Sequence, residues 1–100
     1  MPPTRQGEID IIVRETSAVR DELSRALNRW GWQFEIGPAA HLNVILEELG
    51  EVAKEMNDAH NEGRAIRLDA LQKELRQVAA MAIKTSCVLE MTVKPLEDPK

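Results

Sequence analysis

The residue types and segments that this sequence lacks restrict the class of protein to which it can belong. Its 100 residues include a single cysteine, Cys87, and contain no basic run of five or more residues. A lone cysteine excludes an internal disulfide and a zinc site built from several thiolates, which fits a reducing compartment. The N-terminal residues have no apolar signal-peptide core, and no segment approaches the roughly 18 apolar residues of a membrane span. We therefore expect a soluble, cytoplasmic protein that makes no contact with a membrane.

The charge balance restricts the partners. Seventeen acidic and thirteen basic residues give a net charge of −4. An acidic chain without a basic run is not expected to bind the phosphate backbone of a nucleic-acid polymer. Single phosphates held through a metal ion stay compatible with this composition. Aromatic residues are scarce too, and all three of them, Trp30, Trp32 and Phe34, fall within five positions. Their clustering indicates a local site.

Glycine and proline are sparse, with five of each, and they divide the chain into three blocks. Apolar residues recur there at steps of three and four, which is the pattern of amphipathic helices. These helices are predicted over about 6–29, 39–61 and 67–91. No segment alternates with a period of two. The sequence therefore predicts an all-α protein with one helical domain over 1–91 and a flexible C-terminal tail over 92–100.

Each predicted helix carries an apolar stripe that a chain of this size cannot easily cover. In the second helix the stripe consists of Leu42, Ile45, Leu49, Val52 and Met56. Because two antiparallel helices leave part of such stripes uncovered, we expect homo-oligomerisation into a four-helix-type bundle, as a homodimer or homotetramer. A compact monomeric three-helix bundle satisfies the same pattern.

Acidic side chains line the edge of these stripes. On the second helix Glu48, Glu51 and Glu55 share one flank, within an arc of about 60°. On the third helix Glu74 and Gln77 lie one turn apart at the margin. If the two helices pack antiparallel, the pairs 48/51 and 74/77 face each other. Oxygen ligands from facing helices suit a hard cation such as Mg²⁺ or Mn²⁺.

At these positions the sequence resembles the MazG-like all-α nucleotide pyrophosphohydrolases. The family motif is EExxE on one helix and ExxD on the next, and this chain has EELGE at 47–51 and ELRQ at 74–77. The resemblance covers about residues 38–90. It implies Mg²⁺-dependent hydrolysis of a nucleoside triphosphate, NTP or dNTP, to the monophosphate and pyrophosphate. It also implies dimers, or tetramers built from dimers.

The resemblance assigns roles to the acidic residues. Glu48, Glu51 and Glu74 would hold Mg²⁺, with Gln77 in the position of the family's aspartate. Glu47 and Glu51 are the catalytic candidates, with Glu47 assisting deprotonation of the attacking water. Glutamine can bind a metal through its carbonyl oxygen but brings no charge and accepts no proton. Gln77 is therefore expected to weaken metal binding.

Four residues are candidates for binding the substrate. Trp32, in a loop, suits stacking on a nucleobase. Trp30 is a second candidate, although it also completes the apolar stripe of the first helix and we favour a core position for it. Lys54 and Lys84 are candidates for contacting phosphates, and each is equally compatible with a solvated lysine. His41 is expected to make a structural hydrogen bond.

Three functions follow as hypotheses from different classes. The first is the pyrophosphohydrolase that the resemblance implies. The second is a catalytically degenerate module that binds nucleotide or metal without turnover, because of Gln77. The third is a helical dimerisation module whose acidic residues are solvated helix margins, neutralised by Lys54, Lys73 and Arg76 at helical spacing.

Overall fold

The computed structural model describes residues 2–94 and is helical along most of that range. It contains three long α-helices and one short 3-10 helix, with no strand among the described residues. The elements are α1 (Arg5–Trp30), the 3-10 helix (Phe34–Ile36), α2 (Pro38–Glu62) and α3 (Leu68–Thr92). The all-α prediction is thus confirmed, and the three predicted helices correspond to α1, α2 and α3.

The predicted C-terminal tail, 92–100, lies mostly beyond the described chain. Thr92 is the last residue of α3, and residues 95–100 lie outside the described residues. None of the described helices combines the length and the apolar character that crossing a membrane requires.

Local signals at the helix ends explain where α1 and α2 begin and end. Thr4 caps α1, because its Oγ1 accepts a hydrogen bond from the backbone N–H of Gly7 at 3.1 Å. Pro38 is the first residue of α2, where its missing N–H leaves no hydrogen bond unmade. At the other end Gly63 adopts the left-handed conformation, with φ of 65°, and its N–H returns to the carbonyls of Ala59 and His60.

The third helix is the centre of the packing. Both α1 and α2 pack along α3, whereas α1 and α2 have hardly any direct contact within the described chain. The radius of gyration is 17.0 Å, compared with about 13 Å for a compact domain of 100 residues. The arrangement is therefore open, with a groove between α1 and α2 above α3.

The sequence predicts an apolar stripe on α3 that consists of Leu68, Leu71, Leu75, Val78, Ala82, Thr85 and Leu89. The buried face of α3 includes Leu71 and Thr85 of this stripe but otherwise differs from it. Ala80, Lys84 and Val88 are 2, 5 and 1% exposed, whereas Leu68 and Leu75 are 62 and 43% exposed. The reason is that α3 is covered from two sides, so its buried arc includes positions that face α1. A lysine thereby enters the interior, and leucines that the spacing assigned to the core lie at the surface.

The apolar stripe of α2 is divided along its length. Ile45 and Val52 are buried, while Leu42, Leu49 and Met56 are 43 to 49% exposed. Only one edge of the stripe therefore packs within the chain, and the other edge is left uncovered.

Gly50, inside α2, and Gly63, directly after its last residue, provide a matched test of where this helix ends. Gly50 lies inside the helix with open space around its position for a β-carbon, so Gly50→Ala should raise the free energy of unfolding by about 0.5–1 kcal/mol. Gly63 has open space too, but its φ is positive, so Gly63→Ala should lower this free energy by about 1–2 kcal/mol. Urea denaturation measures both. Stabilisation by Gly63→Ala would contradict a left-handed cap at this position.

Candidate functional site

The carboxylate of Glu48 lies on the side of α2 that lines the groove. Its Oε2 atom is buried and has no hydrogen-bond partner. Burial raises the pKa of Glu48, and the neighbouring charges of Glu74 and Glu51 raise it further. An unpartnered buried carboxylate is costly. A bound cation would remove that cost.

The predicted metal ligands divide between two neighbouring cavities. Glu48 and Gln77 line a cavity of about 320 Å³, which we call the interhelical cavity because α1, α2 and α3 all contribute to it. Glu51 and Glu74 line a second cavity of about 620 Å³, the arginine cavity, which also contains Arg64. Since 48 and 51, like 74 and 77, lie one helical turn apart, the cavities follow each other along the contact between α2 and α3.

The four side chains do not form a closed ligand set in this structure. Within residues 2–94, no three His, Cys, Asp or Glu side chains lie close enough together to hold one metal ion. Glu47 and Glu51 are exposed, and Glu47 lines neither of the two cavities. The donor chemistry nevertheless suits a hard cation, because every candidate ligand offers oxygen and Glu48 has an oxygen without a partner. Binding of one ion by Glu48, Glu51 and Glu74 together would require their side chains to come closer to one another than they lie in this structure.

The basic residues that could neutralise these acids bind elsewhere. Lys54 pairs with Asp58 at 2.8 Å, and Arg76 donates from Nε to Glu15 of α1 at 2.8 Å. No ion pair among the described residues involves Glu48, Glu51 or Glu74. The ion pairs of these acids with Lys54, Lys73 or Arg76, which the hypothesis of solvated helix margins predicts, are not formed among the described residues.

Lys84 is a buried cation in the interhelical cavity. It is 5% exposed, and its Nζ donates a hydrogen bond to Oε1 of Gln33 at 2.6 Å. Burial lowers the pKa of Lys84, and the charge of Glu35 partly offsets this effect. The ammonium group is therefore engaged with a neutral amide, although a carboxylate, Glu48, lines the same cavity.

Gln33, the partner of Lys84, is a site residue that the sequence analysis missed. It adopts a left-handed conformation, with φ of 59° and ψ of 45°, just before the 3-10 helix. The Nε2 atom of His41 lies 3.3 Å from its carbonyl oxygen, and His41 is buried. His41 thus makes the structural hydrogen bond expected of it. No periodicity marks Gln33, because its role comes from an irregular backbone.

Of the two tryptophans, Trp30 lines the interhelical cavity and Trp32 does not. Trp30 is 59% exposed and lines the interhelical cavity, with the Arg29 guanidinium 4.8 Å from its ring centroid. The expected core position of Trp30 is therefore wrong. Trp32 is half-buried and stacks on Phe34 at 6.5 Å between centroids, outside both cavities. Of the four substrate-binding candidates, the structure brings Trp30 and Lys84 together and leaves Trp32 and Lys54 apart.

Two arginines were also missed. Arg64 and Arg67 line the arginine cavity beside Glu51 and Glu74. Arg64 pairs with Glu55 at 2.8 Å and thereby lowers the pKa of that carboxyl. Their position after Gly63, the glycine that ends α2, could have identified them from the sequence. The turn at this glycine brings the chain back towards the end of the helix that carries EExxE.

Comparison of the chain with protein-family profiles, with curated proteins and with solved structures finds no match in any of the three. The interpretation of the site therefore depends on its geometry and on the resemblance of EELGE and ELRQ to the family motif.

Glu48→Gln should stabilise the protein when divalent cations are absent. Burial and like charges raise the pKa of Glu48 in the folded state. The folded state therefore binds more protons than the unfolded state. The free energy of unfolding then falls as the pH rises above about 4.5, the ordinary pKa of a glutamate. The neutral amide removes this loss. In EDTA at pH 7.5 we expect the melting temperature to rise by a few degrees, since about 1 kcal/mol corresponds to about 4–8 °C in a domain of this size.

Thermal melts followed by circular dichroism at pH 4 and pH 7.5 measure this effect. Glu90→Gln, at an exposed position of α3, is the matched control and should change the melting temperature little at either pH. A Glu48→Gln variant that melts below the wild type in EDTA would show that this carboxylate contributes a stabilising contact.

Proposed function

We propose that this protein is a cytoplasmic, divalent-cation-dependent nucleotide pyrophosphohydrolase that converts an NTP or dNTP to the monophosphate and pyrophosphate. The observation that carries the proposal is the buried, unpartnered oxygen of Glu48, in the field of Glu51 and Glu74. Like charges that form no ion pair among the described residues favour a cation as the missing component. The resemblance of the two motifs to the MazG-like family supports the same chemistry.

The metal would be held by three carboxylates and one amide oxygen, those of Glu48, Glu51, Glu74 and Gln77. When bound, Mg²⁺ or Mn²⁺ supplies neutralisation of phosphate charge and a more acidic water. Glu51 is the candidate to accept a proton from that water, because it is exposed and lines the arginine cavity. Glu47 lines neither cavity, so we assign it no direct contact with substrate.

The two cavities suit the two ends of a nucleotide. Trp30 gives the interhelical cavity an aromatic surface for a planar base. Arg64 and Arg67 give the arginine cavity the cationic groups that phosphates bind. Carboxylates line both cavities, so a nucleotide lying across them would place its phosphates beside the candidate metal ligands.

We propose further that the functional unit is a homodimer. The uncovered apolar strip consists of exposed leucines of α2 and α3, which are 39 to 65% exposed: Leu42, Leu46, Leu49, Leu68, Leu75 and Leu89. In an antiparallel hairpin these positions lie along one edge, and on α2 Leu42 and Leu49 lie about 100° or more around the helix from Glu48 and Glu51. Two hairpins that pack through this strip form a four-helix bundle. The open arrangement of the single chain agrees with a missing partner.

A second candidate function is binding of nucleotide or metal without turnover. The observation that favours it is Gln77, which contributes no charge, together with the absence of a closed ligand cluster in the described chain. Saturable nucleotide binding without pyrophosphate release would select this alternative.

Pyrophosphate release from a panel of NTPs and dNTPs, with Mg²⁺ or Mn²⁺, tests the enzymatic proposal. We expect release from at least one nucleotide, its loss in EDTA, and a fall of about 100-fold or more in Glu51→Gln and Glu74→Gln, because each removes a charged ligand. Glu90→Gln, which lies outside both cavities, should keep the wild-type rate. Release that persists in EDTA would contradict a metal-dependent reaction.

The dimer is tested by the mass of the particle in solution. The chain has a mass of 11.3 kDa, and light scattering should give at least twice that value for the wild type. Leu46→Glu places a charge within the apolar strip, and we expect it to shift the protein towards the monomer because a buried unpaired carboxylate is costly. Asn43→Glu, on another side of α2, should leave the mass unchanged. A monomeric wild type would contradict the proposal.

A further inference from the structure

We propose that Gln33 contacts the edge of the nucleobase and selects bases that carry a carbonyl oxygen where adenine and cytosine carry an amino group. This inference rests on the proposed nucleotide site, and it names the class of base that the site accepts. Its starting point is that Gln33 lines the interhelical cavity together with Trp30, Glu48 and Lys84.

The position of Gln33 is fixed at three points. Its backbone has a positive φ, which no other non-glycine residue in the described chain adopts. Its carbonyl oxygen lies 3.3 Å from Nε2 of His41, and its side-chain oxygen accepts from Nζ of Lys84 at 2.6 Å. His41 and Lys84 are each 5% exposed. Both are thus anchored in the interior, and the amide group is held in place before a ligand arrives.

Lys84 also fixes which way the amide faces. An ammonium group has donors and no acceptor, so only the oxygen of the Gln33 amide can point at it. The NH₂ group must then point away from Lys84, and within residues 2–94 no protein acceptor takes a hydrogen bond from it. Because Gln33 lines the cavity and its oxygen is taken by Lys84, its NH₂ group is what this side chain can offer to a ligand there. Lys84 acts as a positioning residue here and not as the phosphate contact that the sequence suggested.

Donors at this place distinguish two classes of base. Guanine, thymine and uracil carry a carbonyl oxygen where adenine and cytosine carry an amino group. A carbonyl accepts from the NH₂ group of Gln33, whereas an amino group meets it donor to donor and leaves both unpaired. With the ring stacked on Trp30, the site should prefer keto nucleotides to amino nucleotides.

Equilibrium binding of α,β-imido dNTP analogues with Mg²⁺ tests this preference without turnover, because the bridging nitrogen blocks release of pyrophosphate. Tryptophan fluorescence reports binding of the four analogues. For the wild type we expect the guanine and thymine analogues to bind about tenfold more tightly than the adenine and cytosine analogues. Gln33→Gly keeps the left-handed backbone and its carbonyl and removes the amide, so the preference should fall to about twofold or less.

Lys84→Met provides the second variant. Without the ammonium the amide can turn its oxygen towards the cavity, so adenine and cytosine analogues should gain affinity relative to the wild type. Lys73→Met, at an exposed position on the same helix, is the matched control and should keep the wild-type preference. Circular dichroism confirms that each variant is folded.

The outcomes separate this inference from the enzymatic proposal. Equal binding of the four analogues by the wild type, or a preference that persists in Gln33→Gly, would overturn the role of Gln33 and leave pyrophosphate release unaffected. A preference that Gln33→Gly abolishes, in a protein that releases no pyrophosphate from any natural nucleotide, would support the role of Gln33 and reject the enzyme. Failure to bind any analogue would overturn both.

Discussion

The packing of α3 against both other helices is the constraint on which the rest of the structure depends. A helix covered on two sides must bury polar positions, and α1 and α2, each held by α3, are kept apart from one another. The gap between them becomes the interhelical cavity. The remaining apolar edge of the α2–α3 hairpin is then left uncovered by residues 2–94. One packing choice therefore produces both the candidate site and the proposed dimer surface.

Two opposite charges in the cavity have different surroundings. Lys84 and Glu48 line the same cavity, and a direct pair would neutralise both. Instead Lys84 bonds to the amide of Gln33, and Glu48 keeps an oxygen without a partner. The pKa of Glu48 is raised by burial and by two other acids, and Lys84 is not among the groups that affect it. Among the described residues Lys84 therefore does not neutralise Glu48, which is compatible with the proposed metal ion.

Helical periodicity predicted the parts of the structure that depend on one helix at a time. The bounds of the three helices and the shared flank of Glu48 and Glu51 follow from a repeat of 3.6 residues. The buried arc of α3 depends on two neighbours at once, so spacing could not place Lys84 in the interior. Gln33 depends on a left-handed backbone, which the local sequence does not specify. Trp30 was predicted to lie in the core, but at the end of α1 its side chain is exposed.

The glutamine at position 77, where the motif that this chain resembles has an aspartate, can be explained from the cavity that it lines. Gln77 lines the interhelical cavity with Glu48, whereas Glu51 and Glu74 lie on the arginine side. A carboxylate at position 77 would add a negative charge beside Glu48, which forms no ion pair among the described residues. This charge would raise the pKa of Glu48 further. A neutral amide avoids this repulsion and still offers an oxygen to a cation. On this argument Gln77 lowers the negative charge of the interhelical cavity, the proposed base-binding side, and the three carboxylates remain the charged ligands of the proposed metal ion.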